Sequence, residues 1–125
     1  CLLQLRGFRI MTWEVVFSPQ VRHWLLNLDE ATYDRVMQSV GELETWGPQL
    51  GRPRVGKIVG SKIANLKELR PSSSELSHIR ILFAFDPNRR AILLIAGDKR
   101  GEWQKWYKTN IPLAEKMLLE HLGNL

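Results

Sequence analysis

Residues Asn65–Gly101 read NLKELRPSSSELSHIRILFAFDPNRRAILLIAGDKRG, and this stretch decides the fold. Leu76 to Phe85 alternates, with Ile79, Ile81, Phe83 and Phe85 on one face and His78, Arg80, Leu82 and Ala84 on the other, which predicts a strand with Arg80 off its buried face. Asp86-Pro87-Asn88 is a turn, and Ala91 to Ala96 is an unbroken apolar run that suits a strand covered on both faces. Upstream, Asn65 to Arg70 is a short strand closed by the polar turn Pro71-Ser-Ser-Ser. Three consecutive strands with short connections predict an antiparallel meander. Cations recur along it: Lys67 and Arg70 at the end of the first strand, Arg80 inside the second, Lys99 and Arg100 after the third. Because successive strands reverse direction, Arg70, the start of the middle strand and Lys99 fall at one end of the sheet.

Working outward, Thr12 to Phe17 alternates with Trp13, Val15 and Phe17 on one face, a half-buried strand. Ser18-Pro19 gives a helix cap and a proline suited to the first helical position. Val21, Trp24, Leu25 and Leu28, then Tyr33, Val36, Met37, Val40 and Leu43, form the stripes of a helical hairpin that stops at Gly47-Pro48. His23 and the neighbouring tryptophans read as packing residues. Gly47 to Lys62 is a basic loop with room for one short strand around Lys57 to Val59, and its Arg54, Lys57 and Lys62 are candidate contacts for a polyanion. Gly56-Lys57 is followed by isoleucine rather than Ser or Thr, so no phosphate loop of the GxxxxGK[ST] kind is present. After Gly101 the pattern is helical in two pieces, Glu102 to Lys108 and a second helix capped by Asn110 with Leu113, Ala114, Met117, Leu118 and His121 on its apolar side.

The bulk properties set outer bounds. The 125 residues, 44% apolar and 25% charged, suffice for one compact domain with one modest core. Residues 1–10, ahead of Met11, are read as an extension to a domain spanning 11–125. The single cysteine, Cys1, offers neither an internal disulfide nor a thiolate metal site, so no metal and no cofactor are expected. No apolar run is long enough for a bilayer and no secretory leader is recognisable, so a cytoplasmic protein without membrane contact is expected. Charge is concentrated: between Gly51 and Gly101 eleven Lys/Arg stand against four Asp/Glu, while the rest of the chain has seven against nine. The middle of the chain is thus suited to a nucleic acid or an acidic protein partner.

The order strand, helical hairpin, three-stranded meander, C-terminal helix, carried by LKELR, IRILFAF, LIAGDKRG and KTNIPLAEKMLLEHL, resembles the RelE/HigB toxins of bacterial type II toxin–antitoxin systems, in particular the phage-derived Gp49-like, HigB-type branch. The likeness covers about Thr12 to Leu122. It implies an α+β, microbial-ribonuclease-like fold and a toxin that cleaves mRNA on the ribosome without a metal, inhibiting translation until a cognate helix-turn-helix antitoxin neutralises it. The family's signature of an arginine ending the second strand, one inside the third, a basic pair after the fourth and an aromatic hydroxyl beyond falls on Arg70, Arg80, Lys99-Arg100 and, with the spacing off by about a residue, Tyr107. Where some members carry two lysines, this chain has Lys67 and Glu68.

The chemistry of RNA cleavage asks for the same side chains. With the 2′-OH as nucleophile, the protein supplies a base, an acid for the 5′-oxygen, and positive charge for the pentacovalent phosphate. Arg80 with Arg70 or Arg100 suits the last role. Lys67 or Lys99, crowded by cations, is available as base, Glu68 is the alternative base, and His78 is a second candidate acid because imidazole exchanges protons near neutrality. Two other readings compete: a ParE-like toxin that inhibits gyrase by binding, against which the cation set argues, and a non-catalytic RNA-binding module, for which only Trp103, Trp106 and Tyr107 are placed to stack bases.

Overall fold

Ser18 and Asp29 each turn their side-chain oxygen onto the backbone N–H three residues ahead, Val21 and Thr32, and so start two helices. These are α1 (Pro19–Leu26) and α2 (Glu30–Trp46), the expected hairpin. The computed structural model describes residues 12–63, 65–71 and 78–125, so the expected extension 1–10 and the serine turn after Pro71 lie outside the described residues. Its strands are β1 (Glu14–Phe17), β2 (Val55–Lys57), β3 (Lys67–Leu69), β4 (Ile79–Phe85) and β5 (Arg90–Asp98), and α3 (Trp103–Gly123) closes the chain.

The five strands form one sheet in the order β1-β5-β4-β3-β2, with β1 parallel to β5 and every other pair antiparallel. The predicted meander is β3-β4-β5. The predicted short strand of the basic loop sits two residues earlier than expected, because Val55 and Gly56 are the residues that pair with Leu69 and Glu68.

Both faces of the sheet are covered. On one, Leu69, Ile81, Phe83, Leu93 and Ala96 pack with Val21, Val36, Val40 and Leu43 of the hairpin; on the other, Leu82, Ala84, Ile92, Leu94 and Ile95 pack with Ile111, Ala114 and Leu118 of α3. The expectation of one buried face on β4 is therefore corrected. The face carrying Arg80 is roofed by α3, which is what buries Leu82 and Ala84 fully. A bulge makes the apolar run of β5 serve both layers: Leu82 pairs with Ile95 but Phe83 with Leu93, so β5 carries one extra residue and Leu94 and Ile95 share the α3 side.

The C-terminal segment is a single helix rather than two. Asn110 caps nothing; its amide donates to the Trp106 carbonyl at 2.8 Å, and the helix runs on through Pro112. Close approach of α3 to the sheet depends on Gly97, where a β-carbon would lie 2.7 Å from Nε1 of Trp106. Sheet and helix meet without a gap there.

Candidate functional site: a carboxylate ringed by cations

Alternation along β3 puts Leu66, Glu68 and Arg70 on the α3 side and Lys67 and Leu69 on the other. Glu68 is thereby carried under α3 and is only 4% exposed. A buried carboxylate needs partners, and this one has several. Arg70 donates from Nε and Nη2 to Glu68 Oε2, both at 2.8 Å, and Nε of Arg80 lies 3.3 Å from the same oxygen. Tyr107, from the second turn of α3, donates its hydroxyl to Oε1 at 2.6 Å. Three elements distant in sequence meet on one side chain.

The surroundings hold these groups in place. Arg80, itself largely buried, donates from Nη1 to the carbonyl of Ile79 at 2.8 Å. The guanidinium of Arg70 lies over Gly56, where a β-carbon would collide with it. Burial, reinforced by the Glu68 hydrogen bond and charge, pushes the Tyr107 hydroxyl far above its ordinary range, although Arg80 works against this. Tyr107 therefore stays protonated as the donor to Glu68.

Lys99, just past β5, is the fourth member. Its backbone N–H continues the ladder to the His78 carbonyl at 2.9 Å, and its ammonium lies 6.0 Å from the ring centre of Trp103. Burial and the nearby Arg80 and Arg70 charges lower its proton affinity, with Glu68 partly opposing them. Beside this group a cleft of about 370 Å³ is lined by Lys57, Ile58, Val59, Glu68, Arg70, Trp103, Gln104 and Tyr107.

Not every candidate joins the cluster. His78 and Arg100 form a separate group with Asp98 at the same end of β4 and β5 but beside the helical hairpin: Arg100 Nη2 is 2.6 Å from His78 Nε2 and 3.4 Å from Asp98 Oδ2, next to Trp24, Leu28, Asp29 and Thr32. Lys67 points to the face opposite Glu68. Of the three loop cations, Lys57 lines the cleft, Lys62 is exposed with its backbone N–H on Glu115, and Arg54 is tied to Glu42 of α2 at 2.9 Å. Two lining groups carried no sequence signal. Gln104 and Val59 become neighbours of the cluster only when the first turn of α3 and the segment after β2 are brought together; a polar residue at the start of a helix and an apolar one in a loop are otherwise unremarkable.

The sheet and its two helical layers give the fold of the RelE toxins. Archaeal RelE from Pyrococcus horikoshii OT3, solved in complex with RelB, superposes with a TM-score of 0.54 at 23% identity, over 74% of this chain and 99% of that one. A family model described as phage derived protein Gp49-like (DUF891) matches residues 23–119, and the chain belongs to that family. Two Mycobacterium tuberculosis H37Rv proteins bearing the toxin names HigB2 and HigB3 are each 48% identical to it, over 104 residues (83% of this chain) and 102 residues (82%) respectively. The aligned chain spans about half the length of HigB2 (52%) and 87% of HigB3. Among the described residues, no helix is long and apolar enough to cross a membrane.

Proposed function

We propose that this protein is the toxin of a type II toxin–antitoxin pair and that it cleaves mRNA on the ribosome without a metal. The observation that carries this reading is the ring of Arg70, Arg80, Lys99 and Tyr107 around the buried Glu68 at the edge of a cleft. The 48% identity to proteins with HigB toxin names supports it from the family side.

The cluster accounts for each part of the reaction. In the resting protein both arginines are engaged by Glu68. A phosphate entering the site competes for the same guanidinium groups, which suit a doubly bonded oxyanion as well as a carboxylate. As Arg70 and Arg80 turn to the scissile phosphate, Oε2 of Glu68 is released to take the proton from the 2′-OH. The 2′-oxygen attacks phosphorus, the bond to the 5′-oxygen breaks, and Lys99 gives that oxygen its proton. The products are a 2′,3′-cyclic phosphate and a 5′-hydroxyl. The lowered proton affinity of Lys99 makes it the better acid, and Tyr107 keeps Glu68 in position throughout. The arginines stabilise the charge that develops on the phosphoryl oxygens.

The reaction implies mRNA on the ribosome as substrate, hence a cytoplasmic site of action, and the family, with relatives solved as toxin–antitoxin complexes, supports a cognate antitoxin of the helix-turn-helix type covering the basic face. Primer extension on translated mRNA after induction tests the reading. Arg80→Ala and Glu68→Gln, each verified as folded by circular dichroism, should arrest neither growth nor leave cleavage ends. Full toxicity of folded Arg80→Ala would sink it.

A further inference from the structure

The cleft beside the cluster has features that phosphate chemistry does not use. Trp103, at the N-terminal end of α3, is 54% exposed and its ring is part of the cleft wall. The segment after β2 adds Val59, 92% exposed, to the same lining. Two exposed apolar side chains in one cleft give a flat apolar ligand surface to cover.

Both segments are anchored. Trp103 is braced edge-on by Tyr107, with ring centres 6.4 Å apart at 77°, and the Lys99 ammonium lies over its ring, 6.0 Å from the centre. The segment after β2 is fastened to α3 by Glu115, which accepts from Ser61 Oγ at 2.8 Å and from the Lys62 N–H at 2.5 Å. These bonds hold the Glu115 carboxyl below the usual carboxylate range, the Ser61 hydroxyl contributing most. In the same lining, Gln104 supplies an amide that both donates and accepts, while Lys57 and Arg70 supply positive charge. An aromatic ring, an exposed apolar side chain, one amide and flanking cations match one unpaired nucleotide: a base to stack, an edge to hydrogen-bond, and a phosphate.

We infer that the slot lined by Trp103 and Val59 binds the nucleobase next to the scissile phosphate, with the base stacked on Trp103 and its edge read by Gln104. Trp103 is then a positioning residue for the cleavage proposed above, on which this inference rests, and Gln104 sets the preference among bases.

The test uses the full chain with 15N-labelled tryptophan and a short single-stranded oligoribonucleotide made uncleavable by 2′-O-methyl groups. The indole N–H signal of Trp103, identified by its absence from Trp103→Phe, should shift on titration. Trp103→Ala should weaken binding about tenfold, and Trp103→Phe should recover most of that loss because a ring is restored. Gln104→Ala should change the order of preference among oligonucleotides differing at one base while leaving Trp103 responsive. An unmoved Trp103 signal together with unchanged affinity in Trp103→Ala overturns the slot. If Trp103 responds but the wild-type protein cuts no mRNA, the nuclease reading fails and the base slot stands. If mRNA is cut normally by Trp103→Ala with an unaltered sequence profile, the slot fails and the nuclease reading stands.

Discussion

Tyr107 and Glu68 are joined by a 2.6 Å hydrogen bond across 39 residues of sequence, phenol to buried carboxylate. The bond links α3 to β3 and fixes the carboxylate that both arginines share. Tyr107→Phe keeps the ring and its packing but leaves Oε1 without its donor. Urea unfolding should show a loss of about 1–3 kcal/mol. Cleavage should fall as well, because Glu68 is freed to swing, and a Tyr107→Phe protein of unchanged stability would contradict the arrangement.

Gly56 makes room for Arg70. A β-carbon there meets the guanidinium, so Gly56→Ala should push Arg70 off Glu68 and cut cleavage by no more than Arg70→Ala does. The two changes act on one group and should not add. A double variant measurably worse than Arg70→Ala alone would show that Gly56 acts by some other route.

Lys99 gives two pH dependences of opposite sign. Its proton affinity in the fold lies below its ordinary value of 10.5, so the unfolded chain holds the proton more tightly. Stability contributed by this side chain therefore rises with pH between the lowered value and 10.5. Lys99→Met should lack that rise in thermal unfolding measured across the alkaline range. Activity should move the other way, since an acid that has lost its proton cannot protonate the 5′-oxygen. Lys99→Arg, which keeps the charge but holds its proton more tightly, should extend the alkaline limb at reduced rate.

Asp86, at the turn between β4 and β5, organises the far end of the molecule. Its side chain accepts from Arg90 Nε at 2.8 Å, from the Asn88 and Arg90 N–H groups at 2.9 and 3.0 Å, and lies 2.9 Å from His121 Nε2 of α3. Burial alone would raise its pKa, but the His121 and backbone bonds outweigh it and the net shift is downward from 3.8. The stabilisation is thus fully present above 3.8 and is lost as pH falls through the lower folded value. Asp86→Ala should cost about 1–3 kcal/mol near neutrality, where it leaves the Asn88 and Arg90 N–H groups and the Arg90 guanidinium without their acceptor. In acid the gap between variant and wild type should narrow.

The parts of the fold written in local pattern were the legible ones. Alternation in Ile79–Phe85, the apolar run after Arg90 and the Ser18 and Asp29 caps each announce their element within a few residues. Arg80 lies on a roofed face rather than an open one, because a strand of alternating apolar residues does not reveal that Leu82 and Ala84 are also covered. Asn110 followed two residues later by proline has the form of a helix start, yet α3 continues because Ile111, Ala114 and Leu118 are needed against β4 and β5. Of the site, the types were legible but not the hub. Glu68 has nothing in its neighbours to mark it as the shared partner of Arg70, Arg80 and Tyr107; that role exists only once β3, β4 and α3 are stacked. Parity alone separates it from Lys67, and chain reversal alone could not show that His78 and Arg100 pair with Asp98 instead.

The pairing of β1 with β5 ends at Phe17 and Leu93, while β5 runs on to Asp98. There Ser18 donates from its N–H to the Leu93 carbonyl and from Oγ to the Leu94 carbonyl, and the Gln20 amide donates to the Ala96 carbonyl and accepts its N–H, each at 2.9 Å in the case of Gln20. A side-chain amide thus impersonates one residue of a missing strand. A border of open backbone groups along β5 would recruit extended segments of other chains, including copies of this one. The first turn of α1 closes that border from within, so association through added strands is turned away from this margin of the sheet.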